Sequence, residues 1–443
     1  MPKRVVIIGG GFSGLAAGVA LSDLGHEVLL LERRNHLGGR AYSFTDAKTG
    51  DQVDNGQHLF MQCYHETVAF LDKIGCLHKL KFQNRPRIDF LDRRGWDAFE
   101  CPPLPSPLHV LAGLLRMDGL SIGDKLRALR VGHALRSRDQ NHLTVAQWFD
   151  RLGQSDNIRR RFWYPMAIAT LNEKPEVASA LMMKVVLLEA FDGDRAGGNI
   201  GISRVALSDL YTEGARSFIE ARGGQVRTGS QVNRLIEERG RIGSVEMKDG
   251  TPVEADFFIS AVTHDALLQM LPADLRNGEF ACLAALRSSP IVSINLWFDM
   301  PVTDREFVGL IGTRIQWLFN KDAILSNAQH SNHIAIIISA AREFVDWTRE
   351  ALVEMALEEL NQLIPESRSA KLVHSAVVKE RDATLAHTVE SDRLRPGPRT
   401  SISNLILAGD WTATGLPATI ESAVMSGHTA ARIVHAEKGH TVR

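Results

Sequence analysis

Cysteine is scarce: four in 443 residues, Cys63, Cys76, Cys101 and Cys282, far apart and without a CxxC pair or a histidine cluster at zinc spacing. That removes a disulfide scaffold and a structural metal as organising devices, and a reducing cytoplasmic setting is the simplest expectation. Charge of one sign is missing too. With 51 Lys and Arg against 52 Asp and Glu the formal net charge is -1, so no overall field recruits nucleic acid. No uninterrupted run of about 18 apolar residues occurs, and no spanning helix is expected. There is no repeat and no low-complexity tract. Lys3 and Arg4 ahead of an apolar stretch imitate a signal peptide, but Gly9, Gly10, Gly11 and Gly14 split that stretch, and the residues after it continue one structural unit. What remains, 44% hydrophobic and 23% charged residues, is the composition of a globular protein with room for two or three domains.

Residues 4–8 are a β-branched apolar run closed by glycine, which reads as a buried parallel strand. Residues 13–24 have helical composition, Gly25 stops them, and residues 27–32 give a second buried strand. This β-α-β unit opens a doubly wound α/β sheet. Further contributions to the sheet are expected from residues 204–289, with a hairpin turn at Asp249-Gly250 and a returning strand at 257–260, and from 396–443, with a strand at 405–407 and a last helix at 417–435. Between them lie a Pro-marked, mainly helical insertion at 85–203 and a mixed sheet with helices at 290–395. The first domain is thus assembled from residues 1–84, 204–289 and 396–443, and the second is interleaved with it.

Gly9-x-Gly11-x-x-Gly14 stands directly after a strand and, through Phe12 and Ser13, opens a helix. The first glycine permits the turn, the second lets a pyrophosphate approach the backbone, and the third allows close helix–strand contact. The helix start offers free N–H groups and partial positive charge. Glu32 ends the second strand, placed to accept the ribose hydroxyls of a dinucleotide.

The run Glu32-Arg33-Arg34 to Gly39-Arg40 resembles the second FAD fingerprint of the flavin amine oxidase and phytoene desaturase superfamily. The segment ending in Gly409-Asp410, with Pro417-Ala418-Thr419-Ile420 behind it, resembles that superfamily's closing motif. Gln231-Val232-Asn233 is similar to the segment whose backbone contacts adenine, although structure alone accounts for those residues nearly as well. The resemblance implies a Rossmann-like FAD-binding domain with an interleaved α+β substrate domain. It also implies arginines at 34 and 40 facing pyrophosphate, Asp410 on the ribityl chain, and a helix N-terminus facing the flavin. The closing helix has no cysteine, so non-covalent FAD is expected. Leu416-Pro417-Ala418 lacks the paired aromatics of an amine cage.

Asp54-Asn55-Gly56-Gln57-His58, with Trp163-Tyr164-Pro165 and Gln316 to Phe319, resembles the squalene-associated branch, the hydroxysqualene dehydroxylases of hopanoid biosynthesis. That branch implies a long isoprenoid substrate and reductive loss of an allylic hydroxyl. His58 is the ring-side group suited to proton transfer, a purely positional histidine being the competing reading. Rivals are a carotenoid-type desaturase, an amine oxidase and a non-enzymatic prenyl carrier.

Trp297, Phe298, Trp317 and Phe319 fit either a pocket or a core. Residues 193–201 read as a glycine-rich loop rather than a second nucleotide site, so an electron donor has to bind elsewhere or act through another protein. Finally, Leu108, Val110, Leu111, Leu114 and Leu115 precede Arg116, Lys125, Arg127, Arg130, Arg136 and Arg138, which with Asp118 and Asp124 leave a local charge of about +4. A core helix with a solvated basic face, or peripheral attachment to the inner face of an anionic membrane, would each account for this pattern.

Overall fold

The computed structural model describes residues 1–136, 141–192, 194–326, 328 and 331–437. Its first body is built on a five-stranded sheet in the order Gln225–Arg227, Glu27–Leu31, Arg4–Ile8, Phe257–Ser260 and Leu405–Leu407. Every pair in it is parallel. The central strand Arg4–Ile8 is buried past Arg4 and its neighbour Phe257–Ser260 throughout, as apolar runs between helical layers must be. The first helix, Phe12–Asp23, lies against the closing helix, Ile420–Ala436. Glycine makes that contact close: a Cβ on Gly427 would stand 2.2 Å from the Ser13 carbonyl oxygen. A three-stranded antiparallel sheet, Val232–Glu238, Arg241–Met247 and Pro252–Glu254, flanks this body. Its second turn holds Asp249-Gly250, with Gly250 at φ +86°.

The second body carries a seven-stranded sheet in the order Leu372–Leu385, Ser288–Phe298, His333–Ile338, Trp317–Asn320, Phe307–Leu310, Arg87–Asp92 and Gly95–Glu100. Helix Arg349–Leu363 covers one face. Helices including Tyr164–Leu171 and Ala180–Phe191 pack on the other.

The sequence reading is corrected at two places. Residues 87–100, expected within the helical insertion, form a hairpin that extends this sheet, with Arg87 opposite Glu100 and paired to it at 2.6 Å. Alternating charges on a half-exposed edge satisfy a strand as well as apolar alternation does. The end of the 193–201 stretch is not loop either. Strand Ile200–Ser203 lies between Leu59–Met61 and Leu80–Phe82, and Gly201 is needed there because a Cβ would meet the Phe82 ring at 2.6 Å. Gly193 and Arg138 lie outside the described residues.

Candidate active site

A cavity of about 560 Å³ runs from the parallel sheet's C-terminal edge into the second body. At the sheet end it is lined by Gly9, Gly11, Phe12 and Ser13, then by Glu32, Arg33, Arg34, Gly39 and Arg40. Gly56, Gln57, His58 and Val232 come next, with Gly409, Asp410, Thr419 and Ile420 from the far end of the chain. Two expected residues stand back from it. Gly14 packs one turn inside, where a Cβ would lie 2.0 Å from the Gly9 carbonyl oxygen. Asn55 is buried, accepts from the Tyr42 N–H, and donates to the Arg40 carbonyl at 3.0 Å and to Glu380 at 3.1 Å. It holds the arginine's backbone instead of facing the cavity.

The turn after the first strand depends on glycine. Gly9 sits at φ +109°, and a Cβ on it would press on the Ala261 carbonyl at 2.7 Å. The buried Glu32 carboxylate accepts from the Gly10 N–H at 2.7 Å and the Arg34 N–H at 2.8 Å, tying the glycine turn to the second fingerprint. Arg34 donates to the Gly39 carbonyl at 3.0 Å, while Arg40 is ion-paired with Asp410. That pair joins residues 370 positions apart across the cavity floor.

Two supports of the closing segment escaped the sequence reading. Buried Arg395 donates to the carbonyls of Asp410, Thr412 and Leu416, clamping the loop ahead of the closing helix. His387, also buried, accepts from the Ala418 N–H at 2.6 Å through Nε2, which leaves Nδ1 to donate to Asp392 at 3.0 Å. The imidazole thereby fixes where the closing helix begins. Thr419 caps that helix by accepting from Ser422 N–H, and Thr419, Ile420 and Ala423 present the helix start to the cavity.

The loop from Asp54 to His58 hangs on a third missed residue. Lys321, 3% exposed, donates to Asp54 at 2.8 Å and to Gln57 at 2.7 Å. Asp54 also accepts from Ser43 Oγ and the Leu207 N–H. Burial works to raise its pKa, but the ammonium and these donors outweigh burial and hold the carboxyl below its usual range. For His58, burial comes first and pushes the imidazole down, Arg40 adds to this, and Asp54 opposes it. The ring is therefore neutral at pH 7. Tyr64, unmarked in the sequence, lines the same region with its hydroxyl bonded to Thr419, and burial keeps its phenol protonated.

The second body's share of the lining is mainly apolar, with Met166, Ala169, Ile291, Trp317, Phe319 and Ile337 beside Arg87, Thr170, Asn172 and Ser339. The four aromatics divide. Trp317 and Phe319, two apart on one strand, face the cavity. Trp297 instead donates to Asp51 at 2.7 Å and stacks on His333, and Phe298 is core beneath the Arg349–Leu363 helix.

A glycine turn at a parallel strand edge, an acid at the end of the second strand, arginines on the floor and a helix start aimed at an apolar chamber define a flavin-dependent oxidoreductase. The chain belongs to the flavin-containing amine oxidoreductase family, whose model matches residues 12–435. It is 32% identical to the hydroxysqualene dehydroxylase of Rhodopseudomonas palustris, over 98% of this chain and 99% of that one. It is 24% identical to the chloroplastic/chromoplastic 15-cis-phytoene desaturase of Solanum lycopersicum, over 98% of this chain and 78% of that one. Among solved structures, an oxidoreductase from Methanosarcina mazei superposes with a TM-score of 0.75 at 19% identity, covering 97% of this chain and 100% of that one. The family implies a flavin, and the side-chain-free surface at Gly9, Gly11 and Gly39 fits one: a Cβ on Gly39 would already stand 3.0 Å from the Gly11 Cα.

Proposed function

We propose that the chain binds FAD non-covalently and reductively removes the allylic hydroxyl of hydroxysqualene, giving squalene for hopanoid biosynthesis. The observation that carries this reading is the joining of the cofactor cradle and a largely apolar chamber in one cavity. In it, Glu32 would take the ribose hydroxyls, Arg34 and Arg40 would face the pyrophosphate, Val232 would meet the adenine through its backbone, and Asp410 would orient the ribityl chain. The N-terminus of the closing helix places partial positive charge where a reduced ring carries negative charge. A flavin held there in its reduced form would supply the hydride that replaces the hydroxyl, which would leave as water.

The chain's own contribution is position, dryness and a proton. Aromatic and aliphatic walls exclude water from the carbon skeleton and hold it extended. His58, on the loop pinned by Lys321, protonates the leaving hydroxyl. Because its pKa is lowered, it does so only after taking up a proton, which ties the step to mild acidity. The absence of cysteine from the closing helix supports non-covalent attachment.

The relationship to phytoene desaturases supports a second reading, in which oxidised flavin accepts hydride from a polyprene. The two are separated by adding hydroxysqualene to the reduced protein without oxygen. Reoxidation of the flavin with release of squalene is expected. Bleaching of the oxidised protein by a saturated polyprene, with no squalene formed, gives the desaturase instead. A purified protein without yellow colour would favour the carrier.

A further inference from the structure

The two helices that come after the proline cluster expose more apolar surface than a solvated face needs. Helix Leu108–Arg116 turns His109, Gly113 and Leu114 inward and leaves Leu108 and Leu115 each 51% exposed. Helix Ile122–Ala134 buries Ala128, Val131 and Ala134 and points Ile122, Leu126 and Leu129 outward at i, i+4 and i+7. Together with Leu104, these six side chains are between 40% and 78% exposed. Scattered single leucines are ordinary on a surface, whereas an exposed apolar stripe on each of two neighbouring helices is not. The sequence pattern is thereby corrected: Leu114 is core and Val110 packs against it, so the outer face is completed by residues of the second helix that the leucine run did not include.

Basic side chains edge the apolar stripe. By helical spacing, Lys125 flanks it on one side and Arg130, which also donates to the Leu152 carbonyl at 3.5 Å, on the other; exposed Arg136 lies just past the end of the second helix and exposed Arg116 ends the first. Arg127 is turned away toward buried Asp124 at 3.9 Å, and exposed Asp118 is the acidic neighbour. Beneath the first helix lies the apolar end of the chamber. Gly113 sits where a Cβ would touch the Phe99 ring at 2.9 Å, the His109 ring is 6.4 Å from that of Phe191, and Ser106 donates to the Phe191 carbonyl. Phe99 and Phe191 are walls of the cavity.

We infer that the outer face of these two helices seats on an anionic bilayer surface, so that a lipophilic substrate passes from the lipid beneath the Leu108–Arg116 helix into the chamber. Exposed leucines enter the headgroup boundary, the flanking Lys and Arg meet anionic lipid, and the substrate never crosses water. Attachment is peripheral, since no helix among the described residues is long and apolar enough to cross a membrane. The direction of entry rests on the isoprenoid reading, but the docking itself does not.

Flotation of the purified full chain with vesicles of phosphatidylcholine, with and without phosphatidylglycerol, tests the docking and uses no substrate. The wild type is expected to float with the anionic vesicles and to be released by salt. Ile122→Glu with Leu126→Glu should abolish flotation while the protein keeps its flavin absorbance, and Leu108→Glu on the other helix should act alike if the first pair impairs folding. Lys125→Glu with Arg130→Glu should weaken partitioning by about fivefold or more for each charge removed. The inference is overturned if the wild type floats with no vesicle, or if flotation is indifferent to charge and salt. It is also overturned if sedimentation shows a dimer that Ile122→Glu and Leu126→Glu dissolve, which would make a second copy the occupant. Failure of dehydroxylation alone leaves the docking result standing.

Discussion

Replacing Lys321 with methionine takes the ammonium from between Asp54 and Gln57 while nearly keeping the side chain's length. Asp54 stays buried, with Ser43 and the Leu207 N–H as its remaining donors. Removing one partner of a buried pair costs about 3–5 kcal/mol, and those two donors favour the lower end. At about 2.1 cal/mol/K of unfolding entropy per residue, a cooperative chain of 443 residues loses roughly 3–5 °C in Tm. The pH dependence carries the stronger inference. In the wild type, Asp54 is held below its unfolded pKa, so its stabilisation is present above the unfolded value and is lost as pH falls through the folded one. In the variant, burial without the ammonium raises that pKa. The uncompensated charge is then relieved by protonation, so the deficit shrinks as pH falls. Thermal unfolding at pH 7.5 and pH 5, monitored by tryptophan fluorescence, is the assay, and Asp54→Asn in the same chain should recover most of the loss. A deficit under about 1 °C at pH 7.5, or one of equal size at both pH values, would refute the reasoning.

Glu32→Ala removes the acceptor of two backbone N–H groups as well as the proposed ribose contacts, and flavin affinity should fall by about 1.5–3 kcal/mol in a titration of the apoprotein. Asp410→Ala should also weaken retention, since Arg40 loses its carboxylate partner; affinities equal to wild type in both variants would remove these assignments. If His58 is the acid, flavin reoxidation by hydroxysqualene should accelerate as pH falls below the ordinary imidazole value of about 6.5, and His58→Ala should flatten the profile. A wild-type profile level between about pH 5 and 8, or a normal rate in His58→Ala, would eliminate it. Changing His387 to alanine strands the Ala418 N–H and should loosen the start of the closing helix, read as faster flavin release with the thermal midpoint less affected.

Local physics made much of this legible in the sequence. A β-branched run between charged and glycine residues can hardly be anything but a buried strand, and Gly9, Gly11 and Gly14 announce a turn that tolerates no side chain. What escaped depended on partners remote in the chain. Lys321 is an ordinary surface lysine until the fold places it against Asp54, 267 positions away, and His387 acquires its role only from an N–H 31 residues on. Strand Leu372–Leu385 mixes Lys, Glu, Arg and Asp with valine because it is a half-exposed edge of its sheet, so it carried no clean alternation. The aromatics were ambiguous for the same reason: only the pleat and the neighbouring sheet face decide that Trp317 opens on the cavity while Trp297 seals against Asp51.

The parallel sheet has a temporal consequence. Its edge strand Leu405–Leu407 and the helix that seats Gly427 on Ser13 leave the ribosome after every other strand of that sheet, yet they complete the floor of the cavity. Until then the Phe257–Ser260 strand presents an unpaired edge, and Arg40 has no carboxylate opposite. Such long-range closure is slow and exposes nascent chains to misassembly. Cofactor loading therefore has to wait for this last strand of the sheet: a product broken off before residue 405 would carry the glycine turn, Glu32 and both arginines, yet lack Asp410 and the start of the closing helix, and is expected to hold no flavin.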